Sequence, residues 1–169
     1  MDAADAIRSQ RAVRRFADRP IADDLLAEIL DAARRAPSSM NEQRWAFVLV
    51  TDAGRLRALA GIGDYAGHLA AAAAAVALVT PEAEEDWRRE SIAFDLGQCA
   101  QNLMLAAWER GIGSAHAAVY DQDLARESLG YPPDRRCDYV LGLGYPAVPA
   151  AGPGRRRPLD QLLHRERWG

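Results

Sequence analysis

A chain of 169 residues with 21 basic and 24 acidic side chains has a net charge of −3, and 49% of it is hydrophobic. It lacks the basic excess that draws a protein onto nucleic acid or anionic membrane, and it is too apolar to be disordered. All the basic residues are Arg and none is Lys, which excludes Schiff-base and lysine-base chemistry and gives every basic site a planar fork suited to phosphate and carboxylate.

This length suits one domain with a sizeable core. The N-terminus, "MDAADAIRSQ", opens on acids with no apolar leader, and the longest apolar run, "LAAAAAAVALV" at 69–79, is short of the ~20 residues of a membrane span. A soluble, cytoplasmic protein is the expectation. Residues 3–10 form a short amphipathic helix leading into the basic stretch "RSQRAVRRF". Leu25, Leu26, Ile29, Leu30 and Ala33 then recur at helical spacing, with Asp23 and Asp24 at the positive end, Arg34 and Arg35 at the negative end, and Pro37 as the stop. "WAFVLVT" (45–51) reads as a buried strand and "DAGRLRALAGIG" as a helix. The Ala-rich block 66–74 reads as a tightly packed helix running into a second strand at 76–80, and 81–91 as a charged surface segment.

The helix "DLGQCAQNLMLAAWERG" is expected to open at Asp95 and Gln98, a capping-box-like pair, and to close at Gly111. Leu96, Cys99, Ala100, Leu103, Met104 and Ala107 give it the broad apolar stripe of a central core helix. A third strand at 113–120, a short helix at 122–129, the turn "GYPPD" and a fourth strand at 137–145 complete the core. Helices and strands without a regular βαβ period indicate an α+β domain. After a linker at 148–158, the tail carries Leu159, Leu162, Leu163 and Trp168, apolar surface that must dock on something.

Cys99 and Cys137 show no metal-ligand spacing and read as packed thiols in a reducing compartment. No Ser/His/Asp set, paired-carboxylate site, P-loop or GxGxxG is present. What remains is three Arg groups (Arg8, Arg11, Arg14 and Arg15; Arg34 and Arg35; Arg155, Arg156 and Arg157) and a turn rich in hydrogen-bonding groups, "APSSMNEQRW". The first and last Arg groups could converge on one anion. Joined by a Ser/Asn/Gln loop, they suit a ligand with a phosphate, a hydroxylated chain and a heteroaromatic ring.

The blocks "RAVRRFADRPI", "APSSMNEQRWAFVLVTD", "DLGQCAQNLMLAAWERGIGS", "LGYPPD…VLGLGYP" and "RRRPLDQLLHRERWG", in that order along nearly the whole chain, resemble the nitroreductase family of flavin-dependent oxidoreductases. The resemblance implies a homodimer built on a central mixed, mainly antiparallel sheet flanked by helices, with FMN at the interface, no metal, and NADH or NADPH as electron donor. It implies ping-pong reduction of nitroaromatics, quinones or similar electron-poor acceptors. It makes Gln10, Arg11 and Arg14 the phosphate and ribityl cradle, although Gln10 stands where the family usually has Arg and Ala12 where it usually has Ser. Arg156, two before Pro158, matches a phosphate-binding Arg; Gly154 replaces a frequent Lys, and Arg155 compensates. Pro37, Ser38, Ser39 and Asn41 match the loop that reaches the partner's flavin, with Gln43 as a brace, and Arg44 replaces a Pro and would put a cation near the dimer interface. A backbone N–H of Ala118 or Val119 would face the flavin's reactive nitrogen, with His116 as a possible neighbour of the ring and no catalytic side chain required. The altered cradle leaves open a deazaflavin-dependent or flavin-consuming enzyme; outside the enzymes stand a non-catalytic flavin-binding protein and an Arg-rich nucleic-acid module, which fits the Arg clusters but not the net charge.

Overall fold

A computed structural model describes residues 1–149, 152 and 154–168. Residues 150, 151 and 153 of the expected linker, and the last residue of the tail, lie outside the described residues. Four strands, β1 (Ala46–Val50), β2 (Ala74–Pro81), β3 (Gly113–Ala118) and β4 (Arg135–Gly144), form one sheet in the order β1-β2-β4-β3. Every neighbouring pair of strands is antiparallel, in keeping with the expected mainly antiparallel sheet. The parallel contact is an isolated bridge, Ala12 to Ser114.

The described residues form five α-helices, α1 (Ala3–Ser9), α2 (Asp23–Arg34), α3 (Ala53–Leu59), α4 (Asp86–Glu109) and α5 (Gln122–Leu129), of which α1 packs on α4. Successive β-residues face opposite ways, so β2 feeds two cores. Ala74, Val76 and Leu78 pack with Leu26, Ile29, Leu96, Cys99 and Leu103 of α2 and α4. Ala75, Ala77 and Val79 pack with Leu56, Leu59, Leu69, Ala125 and Leu129 on the other face. With helices on both faces, β2 is buried from Ala74 to Thr80.

The Ala-rich block is the first departure from expectation. It forms only a 3-10 turn, Gly67–Ala71, before the strand begins at Ala74. Alanine is the best helix former, but Ala73 N–H donates to Leu143 O at 2.9 Å and Ala74 joins the ladder opposite Leu143, so sheet pairing overrides local preference. The second departure is α4, which starts at Asp86 rather than Asp95 and takes in the end of the charged segment. Those turns are held by Arg88 and Arg89 N–H donating to Glu85 O at 3.1 Å and by the Arg89–Asp86 ion pair at 3.1 Å. At its far end α4 closes as expected: Gly111 takes φ +72°, Gly111 N–H donates to Trp108 O and Ile112 N–H to Ala107 O, the paired bonds of a Schellman stop.

Cys99 and Cys137 are fully buried, and burial pushes both thiols up to about 12, with the Asp138 charge adding to it at Cys137. Because the thiolate is the reactive form, iodoacetamide at about pH 8 is expected to leave the native protein unmodified and to label both thiols in denaturant. Fast native labelling would show that these cores open.

Candidate functional site

A two-glycine notch seats the N-terminal arm. Gly113 and Gly144 are register partners at one end of the β3–β4 pair. A Cβ on Gly113 would lie 2.5 Å from Val13 Cβ, and one on Gly144 would lie 2.7 Å from Phe16 Cδ1, so only glycine lets the arm lie this close. Backbone bonds then hold the arm in register: Val13 N–H to Ser114 O at 2.9 Å, Ala17 N–H to Tyr145 O at 2.7 Å and Ala147 N–H to Arg15 O at 2.9 Å. The arm therefore lies beside the segment that leads to the second Arg group, and Arg11 Nε donates across to Gly152 O at 3.4 Å.

The three Arg groups divide by what they already bond. Arg34 and Arg35 both grip Asp31 and hold its carboxyl below the usual range. Arg8 pairs with Asp5 at 2.5 Å. Arg11 also donates to Arg8 O and Gln10 O, and half-buried Gln10 caps α1 through its N–H to Ala6 O. Arg14 and Arg15 are exposed, and among the described residues neither side chain forms an ion pair or hydrogen bond. Arg155 and Arg156 are exposed as well, Arg156 donating only to Arg155 O at 3.2 Å.

The polar turn is a strained loop held from behind. Met40, Asn41 and Gln43 take φ of 51°, 56° and 50°, left-handed backbone that costs on the order of 1 kcal/mol per residue without glycine. Ser38 O accepts Asn41 N–H at 2.9 Å and Ser38 Oγ accepts Gln43 N–H at 3.0 Å; Gln43 Nε2 donates to Asn41 O and Oδ1 at 3.2 Å. Gln43 is thus a brace within the loop. Pro37, Ser39, Met40 and Asn41 are exposed and Ser38 half-buried. Ser39 N–H donates to both Asp95 oxygens, at 3.2 and 3.0 Å. Asp95 therefore caps this loop from mid-α4, not its own helix, which corrects the capping-box reading. The Arg44 side chain is 6% exposed, paired with Glu42 and within 3.4 Å of Ser91 Oγ. Its hydrogen bond, more than its charge, holds the Glu42 carboxyl below the usual range.

Strand β3 is an edge strand, so alternate peptide groups face outward. Val119 N–H donates inward to Asp138 O at 3.0 Å and is engaged within the sheet. By that alternation Ala118 presents its N–H outward, while its carbonyl lies against Gly63, where a Cβ would approach to 2.6 Å. His116 is exposed on the same strand, edge-on to Tyr139 with ring centroids 6.1 Å apart. Half-buried His68 sits instead between Tyr65 O and Ala115 O, each 3.1 Å from a ring nitrogen.

The loop leads into β1, whereas the arm and Ala118 belong to β3, and β1 and β3 are the opposite edges of the sheet. Two strands lie between, so the edges are about 14 Å apart at ~4.8 Å per strand. Among the described residues no hydrogen bond or ion pair joins loop residues 37–43 to the arm or to Arg155 and Arg156. Sequence reasoning missed Asp95, Ser91, Gly113 and Gly144 as site-forming residues. The available signal was an acid, Asp95, sitting in the apolar stripe of α4 with Ser91 one turn before it.

Comparison with known proteins agrees with this fold. The sequence profile of the Nitroreductase family matches residues 7–91 and 63–145. The chain is 31% identical to an Archaeoglobus fulgidus protein provisionally named NADH dehydrogenase/NAD(P)H nitroreductase, over 96% of each chain. It is 27% identical to the NADPH-flavin oxidoreductase of Vibrio harveyi, over 97% of this chain and 73% of that one. Its fold superposes on a crystal structure from Parabacteroides distasonis, also provisionally named NADH dehydrogenase/NAD(P)H nitroreductase, with a TM-score of 0.85, 27% identity and 98% of each chain covered. The chain belongs to the nitroreductase family and is an oxidoreductase of that type.

Proposed function

We propose that this oxidoreductase binds FMN between two copies of the chain and moves hydride from NADH or NADPH to nitroaromatic, quinone or similar electron-poor acceptors by a ping-pong mechanism. The observation that carries the reading is the separation of the binding elements: exposed Arg forks and an outward N–H on the β3 edge, and a polar loop on the β1 side. One chain holds the two halves apart, and a second copy brings the loop of one to the arm of the other.

The residues present suit the cofactor. Arg14 and Arg156, with Arg155 next to Arg156 in the chain, supply guanidinium groups that no acid among the described residues neutralises, as a phosphate requires. Gln10 and Arg11 fix the arm from which Arg14 projects. Ser38, Ser39 and Asn41 of the partner, shaped by Pro37 and Gln43, provide donors and acceptors for ribityl hydroxyls and ring edges that would otherwise lose hydrogen bonds to water. When bound, FMN supplies the two-electron chemistry, accepting hydride from nicotinamide and releasing it to the acceptor. The chain's part is to bind, orient and donate: the outward Ala118 N–H replaces the pair Ala118 or Val119 as the group toward the reactive nitrogen, and His116 lines the open face.

The vibrio relative named as a flavin oxidoreductase supports the cofactor. Leu159, Leu162, Leu163 and Trp168 are 72, 53, 47 and 87% exposed on this chain, which supports a tail that docks on the partner rather than on its own core. No helix among the described residues is long and apolar enough to cross a membrane, and two buried thiols suit a reducing, cytoplasmic setting. The purified protein is expected to be yellow, to run as a dimer, and to bleach on anaerobic addition of NADH or NADPH. Colourless monomers that take up neither FMN nor deazaflavin would overturn this reading.

A further inference from the structure

One face of α4 holds the loop at both ends. Ser91 and Asp95 are four residues apart, so their side chains project from the same side of the helix. Asp95 is 3% exposed, and both of its oxygens take the single N–H of Ser39. Ser91 Oγ receives Arg44 Nη1, and Arg44 is itself buried against Glu42. Between these anchors lie the three residues at positive φ, turned outward, where water can satisfy them but no packing holds them.

A carboxylate inside the apolar stripe of a helix is costly unless it is well bonded, and Asp95 is a poor stabiliser by that measure. Its hydrogen-bond partner among the described residues is one amide in a segment 56 positions away. The arrangement does little for the helix and much for the loop. We propose that Asp95, seconded by Ser91 through Arg44, is the positioning residue of the flavin site: it touches no cofactor and sets the 38–43 backbone before any ligand arrives. This inference rests on the flavin reading above and adds the group that pre-forms the partner's half of the site.

Amide hydrogen exchange on the flavin-free protein and FMN titration by fluorescence test it together. Asp95→Ala removes the acceptor, whereas Asp95→Asn keeps an oxygen for Ser39 N–H in the same volume. The alanine variant is expected to lose protection at Ser39 and its loop neighbours and to bind FMN about tenfold more weakly, which is about 1.4 kcal/mol. The asparagine variant is expected to recover most of both. Retained protection and affinity in Asp95→Ala would overturn the proposal, as would protection lost evenly across α4 and the sheet. Should Asp95→Ala fail to fold, Arg44→Leu frees the other anchor, with the same loop-confined loss expected and an unchanged loop counting against the clamp. A parent protein that binds no FMN would remove the flavin reading, while the amide data would still decide whether Asp95 holds the loop.

Discussion

Gly113→Ala is expected to yield a protein that folds less stably and carries almost no flavin. The added methyl would sit 2.5 Å from Val13 Cβ and 2.6 and 2.8 Å from its two Cγ atoms. Cβ is fixed to the backbone, so a rotamer change cannot relieve the contact, and the β-branched side chain has little freedom of its own. The arm must lift, at a cost of about 1–3 kcal/mol for overpacking. Lifting it stretches the Val13–Ser114 bond and displaces Arg14, so loss of cofactor should exceed what the stability change alone explains. Thermal unfolding together with flavin absorbance per chain measures the two effects separately. Gly67→Ala is the control, because a Cβ there meets nothing within 4 Å. Equal behaviour of the two variants would show that the arm does not depend on the notch.

Removing the forks should cost affinity without cost to the fold. Arg14→Ala and Arg156→Ala each delete an exposed guanidinium that bonds no acid among the described residues, so native packing has little to lose. A charge-assisted bond to phosphate is worth about 1.5–3 kcal/mol, so each variant should bind FMN roughly tenfold to a hundredfold more weakly, with the unfolding midpoint of the flavin-free protein unmoved. The loss should shrink as salt rises, since screening already weakens the parent. Unchanged FMN affinity in both variants would move phosphate capture to other residues.

The patterned parts of the fold were legible because local and tertiary preferences agree there. In α2 the apolar spacing, acidic start and basic end all point one way, and the structure places the helix at Asp23–Arg34. The start of α4 was not legible, because "DWRRE" is a solvated face whose helicity comes from ion pairs and continuity with the core turns rather than from an apolar period. The Ala-rich block misled for the opposite reason, a strong local preference defeated by pairing with β4 in the middle of the sheet, which sequence cannot display. In the site, the residues proposed for the cradle and loop come from their order along the chain. Which amide of β3 faces outward could not be read, because it depends on hydrogen-bond register with β4. The loop's anchor could not be read either, since Ser39 and Asp95 are distant in sequence and meet only when α4 packs beside the loop.

The rim of β3 has a consequence for how the protein survives before it is loaded. A bare strand edge is an invitation to stick to another molecule of the same kind. Here the arm occupies the rim at Ser114 and the Gly63 turn crowds the Ala118 carbonyl, so the open stretch between them is only His116 and its neighbours. An incoming strand finds too few peptide groups to form a ladder. The same stretch, proposed above to face a flat cofactor, is too short to recruit a fibril.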